Sequence, residues 1–156
     1  NPSKLAELGA FTFAKSLGET PHDGWLGLTQ KLDNATDGMP VFPGMIDLNT
    51  ATYALKRGLG DTVVYETAGG ETFGVKLVGF LETSILQGSI IIAEDAFVSR
   101  FPDAGGYRYF LLDSPDPVAG DQVAEKLTNV LGDRGLELLP AWRRLDATAR
   151  ERVRAG

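Results

Sequence analysis

The sequence predicts an α+β fold: a mixed sheet with a β-hairpin and a strand–helix–strand unit, arranged as two small subdomains. Three observations lead to it. Residues 62–67 and 72–81 are β-rich runs separated by Ala68-Gly69-Gly70-Glu71, and glycine supplies the positive φ that a tight hairpin turn demands. Residues 107–139 read in order as strand, helix and strand, for which a parallel pair joined by a right-handed crossover helix is the economical arrangement. Residues 89–93, Ser-Ile-Ile-Ile-Ala, are an apolar run of strand length, as in a buried strand.

The remaining elements follow in chain order. Ser3 is suited to cap a short helix through Leu5 and Leu8, which Gly9 and Gly18 interrupt. Phe11 and Phe13 flank Thr12 as in a short strand, although a helix through Lys15 is equally allowed. Pro21-His22-Asp23-Gly24 reads as a turn. Trp25, Leu26, Leu28 and Leu32 recur at helical spacing and predict a helix ending near Asp33. Residues 34–40 form a polar loop, and Pro40 and Pro43 bracket an extended piece at Val41 and Phe42. A helix over residues 49–55 is opened by Asp47 or Asn49 and closed near Gly58. In the hairpin, Val63 and Tyr65 share one face. Phe73, Val75, Leu77 and Gly79 share a face of the partner strand, and Glu66 and Lys76 point to solvent.

After the hairpin, residues 83–88 form a loop with two apolar side chains, Ile85 and Leu86. Glu94 and Asp95 start a helix through Phe97, Val98 and Phe101, where carboxylates suit the positive helix end; it stops at Pro102. Residues 107–112 alternate as a strand, and residues 114–120 are a proline-rich connection. Asp121 caps a helix with Val123, Ala124, Leu127, Val130 and Leu131 on its apolar face, ended by Gly132 and Gly135. Residues 136–139 are a further strand. Residues 140–154 are a final helix with Trp142, Leu145 and Val153 inward. No internal repeat is visible.

Composition bounds the function. The 156 residues, 43% hydrophobic and 23% charged, suit one globular domain or two small subdomains, and a chain of this length buries roughly two thirds of its unfolded surface. No apolar run reaches the roughly 18 residues that a membrane helix needs. With no cysteine, disulfides, thiolate metal sites and cysteine nucleophiles are excluded. A formal net charge of -6 disfavours a general nucleic-acid binder, which carries a basic face. Arg143, Arg144, Arg150, Arg152 and Arg154 concentrate positive charge at the end of the chain, as a solvated helix face or a surface near lipid headgroups would.

The chemistry-bearing residues form no catalytic pattern. His22 is the one histidine, so any triad or imidazole acid–base pair must use it. It lies in a turn signature without a partner pattern, and a surface role outweighs a catalytic one. A zinc centre needs three or four ligands. Glu94 with Asp95, and Asp113 with Asp116, are the nearest approach to a carboxylate pair, but adjacent acids at a helix start do not face each other across a cleft. Gly58-Leu59-Gly60-Asp61 leads into a strand, not from a strand into a helix, so it is no dinucleotide fingerprint. Eight phenylalanines, four tyrosines and two tryptophans stand mostly at periodic positions, which favours core packing over a stacking platform. No catalytic, cofactor-binding or metal-ligating residue is therefore assigned. Ile85 and Leu86 are the candidate interaction residues, weighed against simple burial.

The order of motifs points further. Asp47-Leu48-Asn49-Thr50-Ala51-Thr52-Tyr53-Ala54-Leu55 comes first, and Gly60-Asp61-Thr62-Val63 follows. The hairpin then ends in Phe73-Gly74-Val75-Lys76-Leu77-Val78-Gly79-Phe80-Leu81. Ser84-Ile85-Leu86-Gln87-Gly88-Ser89 precedes Ile92-Ala93-Glu94-Asp95-Ala96-Phe97 and Phe101-Pro102. Gly106-Tyr107-Arg108-Tyr109-Phe110-Leu111 and a helix from Val118 to Leu131 close the series. This order resembles the extracytoplasmic region of FtsX-like ABC-transporter permeases and is similar to the MacB periplasmic core domain. In that family a Gly-Asp-Thr strand opener precedes a Val-Val-Gly strand and a Glu-x-Ala-Phe helix. The resemblance covers about residues 40–150; residues 1–40 match poorly.

The resemblance implies a single extracytoplasmic permease domain over residues 1–156, with a core over 41–156. It implies a place between transmembrane helices, facing the periplasm or cell exterior, and a cytoplasmic ATPase as partner. It implies transmission of ATP-driven motion to a lipoprotein, an exported peptide or drug, or a cell-wall enzyme, with no catalytic residue, cofactor or nucleic acid. The arginine-rich end departs from it, because positive segments beside membranes prefer the cytoplasmic side. Two alternatives remain: a free-standing extracellular binding module, and a carboxylate-based hydrolase with two facing acids.

Overall fold

A computed structural model describes residues 1–18, 21–114 and 116–141. The chain is α+β, and it divides into two compact units, Asn1–Gly105 and Gly106–Gly156. The first unit contains α1 (Pro2–Glu7), β1 (Phe13–Ser16), a 3-10 helix (Pro21–Thr29), β2 (Val41–Asp47) and a π-helical turn (Thr50–Leu55). It continues with β3 (Thr62–Glu66), β4 (Thr72–Leu81), β5 (Ile91–Ile92) and α2 (Glu94–Arg100). The second unit contains α3 (Pro117–Leu131) and a 3-10 turn (Gly132–Arg134).

The sheet is organised around β4, its longest strand. β2 runs parallel along one edge of β4. β3 and β1 lie in tandem along the other edge, both antiparallel: β3 pairs with the first half, from Thr72 to Lys76, and β1 with Gly79 to Leu81. β5 extends the sheet beyond β2 by two residues. The hairpin falls where the glycine turn predicts, and Gly70 takes a φ of 82°.

Because β4 is central, both of its faces are covered. On one face Val78 and Leu81 pack with Trp25, Leu28 and Met45, with Phe11, Phe13 and Leu86 around them. On the other, Leu77 and Phe80 pack with Ile46 and Ala51, flanked by Leu55 and Val63. Strict alternation would send Leu77 and Phe80 to opposite faces. A bulge prevents it. Gly44 pairs with Leu77 but Met45 pairs with Gly79, so Val78 is the extra residue and the alternation restarts after it.

The core also requires a missing side chain. A Cβ on Gly44 would collide with Val75 Cγ1 and lie 3.3 Å from Ile92 Cγ2. Glycine therefore lets β2 close on β4 while β5 packs from the other side. Trp25, 2% exposed, anchors the 3-10 helix. Its indole N–H donates to Ala10 O at 2.6 Å, and Phe11 and Phe13 meet its ring edge-on at 5.8 and 5.5 Å.

Several elements differ from the sequence expectation. Asn1, not Ser3, caps α1, accepting the Lys4 N–H with Pro2 in the first turn. Trp25 sits in a 3-10 helix that already begins at Pro21 and ends at Thr29, so the expected turn at 21–24 is absorbed and Leu32 lies beyond the helix. The extended piece at Val41 and Phe42 continues through Pro43 to Asp47. The apolar run 89–93 gives only a two-residue, half-buried strand. Asp116, not Asp121, caps α3, accepting the Ala119 N–H at 2.9 Å with Pro117 at the first helical position.

The strand–helix–strand order occurs earlier than expected, as β2, π-helical turn and β3. Residues 107–112 and 136–139 carry no strand. Alternating apolar residues favour a strand only where a neighbour completes the ladder, and these residues join none. The parallel pair is β2 with β4. Beyond Ala141, the expected final helix with Trp142, Leu145 and Val153, and the arginine cluster from Arg143 to Arg154, lie outside the described residues.

Candidate functional site

Three surfaces emerge from this frame. The first is the loop that carries Ile85 and Leu86, between β4 and β5. Asp47, at the end of β2, fastens it. Asp47 is 1% exposed and is the one charged side chain among the buried described residues. Its Oδ1 accepts the Thr50 N–H at 2.9 Å and its Oδ2 accepts the Gly88 N–H at 2.8 Å. One carboxylate thus starts the π-helical turn and holds the loop against the end of the sheet. Within the loop, Ser84 Oγ accepts the Leu86 N–H, and Gly88 takes a φ of 75°. Leu86 packs against the Trp25 cluster, whereas Ile85 joins neither core cluster. Both are half-buried.

The second surface is aromatic and draws on four elements. Phe73 of β4 is buried. Tyr65 of β3 stacks on it at 5.8 Å, and Phe42 of β2 and Phe101 after α2 meet it edge-on at 6.2 and 6.0 Å. Phe97 of α2 lies 5.0 Å from Phe101 and is exposed, as is Val98. The Arg100 guanidinium stands 5.9 Å over the Phe42 ring and 3.5 Å from Glu71 Oε2. Burial raises the Tyr65 phenol above its ordinary value of 10.0, because desolvation disfavours the phenolate. Sequence reading did not assemble this group. Each aromatic stands at a periodic position, and the register between strands is what gathers them.

The third surface lies in the second unit. Phe110, Leu111 and Leu112 are 71%, 53% and 59% exposed, and Tyr107 and Tyr109 are also exposed. The sequence marks this segment as an alternating strand, but the structure leaves it as irregular chain at the surface.

The other candidates are engaged locally. Asp95 Oδ1 accepts the Ala96 N–H, and Asp113 Oδ1 accepts the Ser114 N–H. Asp116 caps α3, and Glu94 lies in the first turn of α2. Among the described residues no group of three or more histidine, cysteine or acidic side chains gathers as a metal site would. The His22 backbone lies in the 3-10 helix; its side chain is outside the described residues. A cleft of about 170 Å³ lies beside Ala10, Phe11, Phe13 and Trp25, and one of about 310 Å³, at the lower end of ligand-pocket sizes, lies beside Ala14, Leu48, Asn49, Glu82 and Thr83.

No protein-family model matches the chain, and neither a curated protein nor a solved structure is significantly similar to it. Among the described residues no helix is long and apolar enough to cross a membrane.

Proposed function

We propose that this chain is the extracytoplasmic domain of an ABC-transporter permease of the FtsX-like type, similar to the MacB periplasmic core. In this reading it binds and transmits motion rather than catalyses. It faces the periplasm or cell exterior, is joined to the permease's own transmembrane helices and, through them, to a cytoplasmic ATPase. It couples ATP-driven movement to a lipoprotein, an exported peptide or drug, or a cell-wall enzyme.

The observation that supports the reading is the element each motif occupies. Thr62 and Val63 of Gly60-Asp61-Thr62-Val63 open β3, Val78-Gly79 lies inside β4, and Glu94-Asp95-Ala96-Phe97 starts α2. These are the states that the resemblance predicts, in the same order. The strands expected at residues 107–112 and 136–139 are the exceptions.

A reporter fused at Gly156 in the parent gene tests the proposal. An external reporter, with membrane-spanning segments on both sides of this chain, supports it. A cytoplasmic reporter or a parent without such segments overturns it. The alternative is a free-standing binding module, favoured by the exposed Phe97 and Val98 at the edge of the aromatic group. The carboxylate-hydrolase alternative requires two acids facing one another across a cleft.

A further inference from the structure

We propose that the cleft beside Ala14, Leu48, Asn49, Glu82 and Thr83 is a binding site for a small organic ammonium ion. This inference does not rest on the permease reading, and every residue in it belongs to the first unit. β2 and β4 run parallel and end at the same level, with Asp47 opposite Leu81. Leu48 and Asn49 are the next two residues after one strand, and Glu82 and Thr83 the next two after the other. The cleft of about 310 Å³ therefore opens at the carboxyl ends of the parallel pair, which is where open parallel sheets bind their ligands.

Two irregularities shape the walls. Phe13 pairs with Leu81 but Lys15 pairs with Phe80, so Ala14 is a bulged residue. Bulges end strand pairing and re-aim side chains beside functional sites. Asn49 leads into the π-helical turn, a conformation concentrated at functional sites. The Asp47 carboxylate fastens the loops that follow both strands, through the Thr50 and Gly88 N–H groups. The walls are thus held in place before a ligand arrives, which lowers the ordering cost of binding.

The lining sets the chemistry of the ligand. Glu82 brings a carboxylate, Asn49 an amide and Thr83 a hydroxyl. Among the described residues, none of these three side chains has a hydrogen bond or an ion pair. No described lysine or arginine lines the cleft, so an anion would meet Glu82 without a compensating charge. An ammonium group would donate to the carboxylate, amide and hydroxyl oxygens, and Leu48 and Ala14 would cover a short alkyl stem. A hard metal ion would need more oxygen ligands, and no three acidic side chains gather among the described residues.

Backbone amide NMR of the whole chain, titrated with n-butylammonium, is the test. Saturable shifts confined to the cleft residues and their neighbours are expected, with a dissociation constant of about 1 mM, within reach of a ligand this small. Butanol keeps the stem without the charge, and butyrate reverses the charge; each should bind at least about tenfold more weakly. Glu82 is exposed, so Glu82→Gln should leave the melting temperature unchanged while weakening butylammonium about tenfold. Shifts that do not saturate by about 10 mM, that spread over the whole surface, or that butanol reproduces overturn the proposal. So does a Glu82→Gln variant that binds within about twofold of the unaltered chain.

Discussion

Gly88 N–H donates to Asp47 Oδ2 at 2.8 Å, joining two residues 41 positions apart in sequence. The same carboxylate accepts the Thr50 N–H, so one buried side chain sets both a helical turn and the loop that carries Ile85 and Leu86. Removing it leaves two backbone donors without their acceptor. Hydrogen bonds to a charged group are worth about 1.5–3 kcal/mol each, and their loss is not fully recovered by water at a buried site. Asp47→Ala should therefore lower unfolding free energy by about 3 kcal/mol in urea titration. Asp47→Asn, which keeps one acceptor oxygen, should fall between it and the unaltered protein.

Ile85 and Leu86 separate by their contacts. Leu86 packs against the cluster around Trp25 and Met45, and Ile85 does not. Leu86→Ser should cost about 1–2 kcal/mol for the apolar surface it no longer buries. Ile85→Ser should cost less than about 1 kcal/mol. If Ile85 contacts a partner, that substitution weakens binding while the melting temperature hardly moves. Equal destabilisation by both changes would mean that the loop serves the core alone.

At Gly44 the expected cost comes from overcrowding. Gly44→Ala puts a methyl group into Val75 Cγ1 and against Ile92, on a strand that cannot retreat because β4 and β5 flank it. Overpacking of this kind costs about 1–3 kcal/mol. Val75→Ala removes the colliding group, so the double variant should be more stable than the sum of the two single losses predicts. Denaturant titration of all four proteins measures that coupling.

Tyr65 supplies an alkaline signature. Its phenol is raised above 10.0 in the folded chain by burial. Above pH 10 the unfolded chain therefore releases this proton more readily than the folded one. Stability from this group is whole below pH 10 and is lost as pH rises through the folded value. Tyr65→Phe cannot titrate. Its stability should fall less steeply above pH 10 than that of the unaltered protein, and identical slopes would refute the assignment.

The sequence by itself determined the local elements whose causes are local. The Ala68–Glu71 turn places β3 and β4 because glycine reaches a φ that other residues resist. Glu94 and Asp95 start α2, and Pro102 follows its end. The α+β class with a mixed sheet was legible from these pieces. Only the tertiary structure decided which strands meet. The parallel pairing of β2 with β4 depends on Gly44 allowing close approach. The face of Phe80 depends on a bulge at Val78 that alternation does not reveal, and the aromatic group around Phe73 depends on the register of three strands. Residues 107–112 make the same point in reverse. Their side chains favour a strand, but a strand requires backbone partners, and among the described elements no ladder includes them.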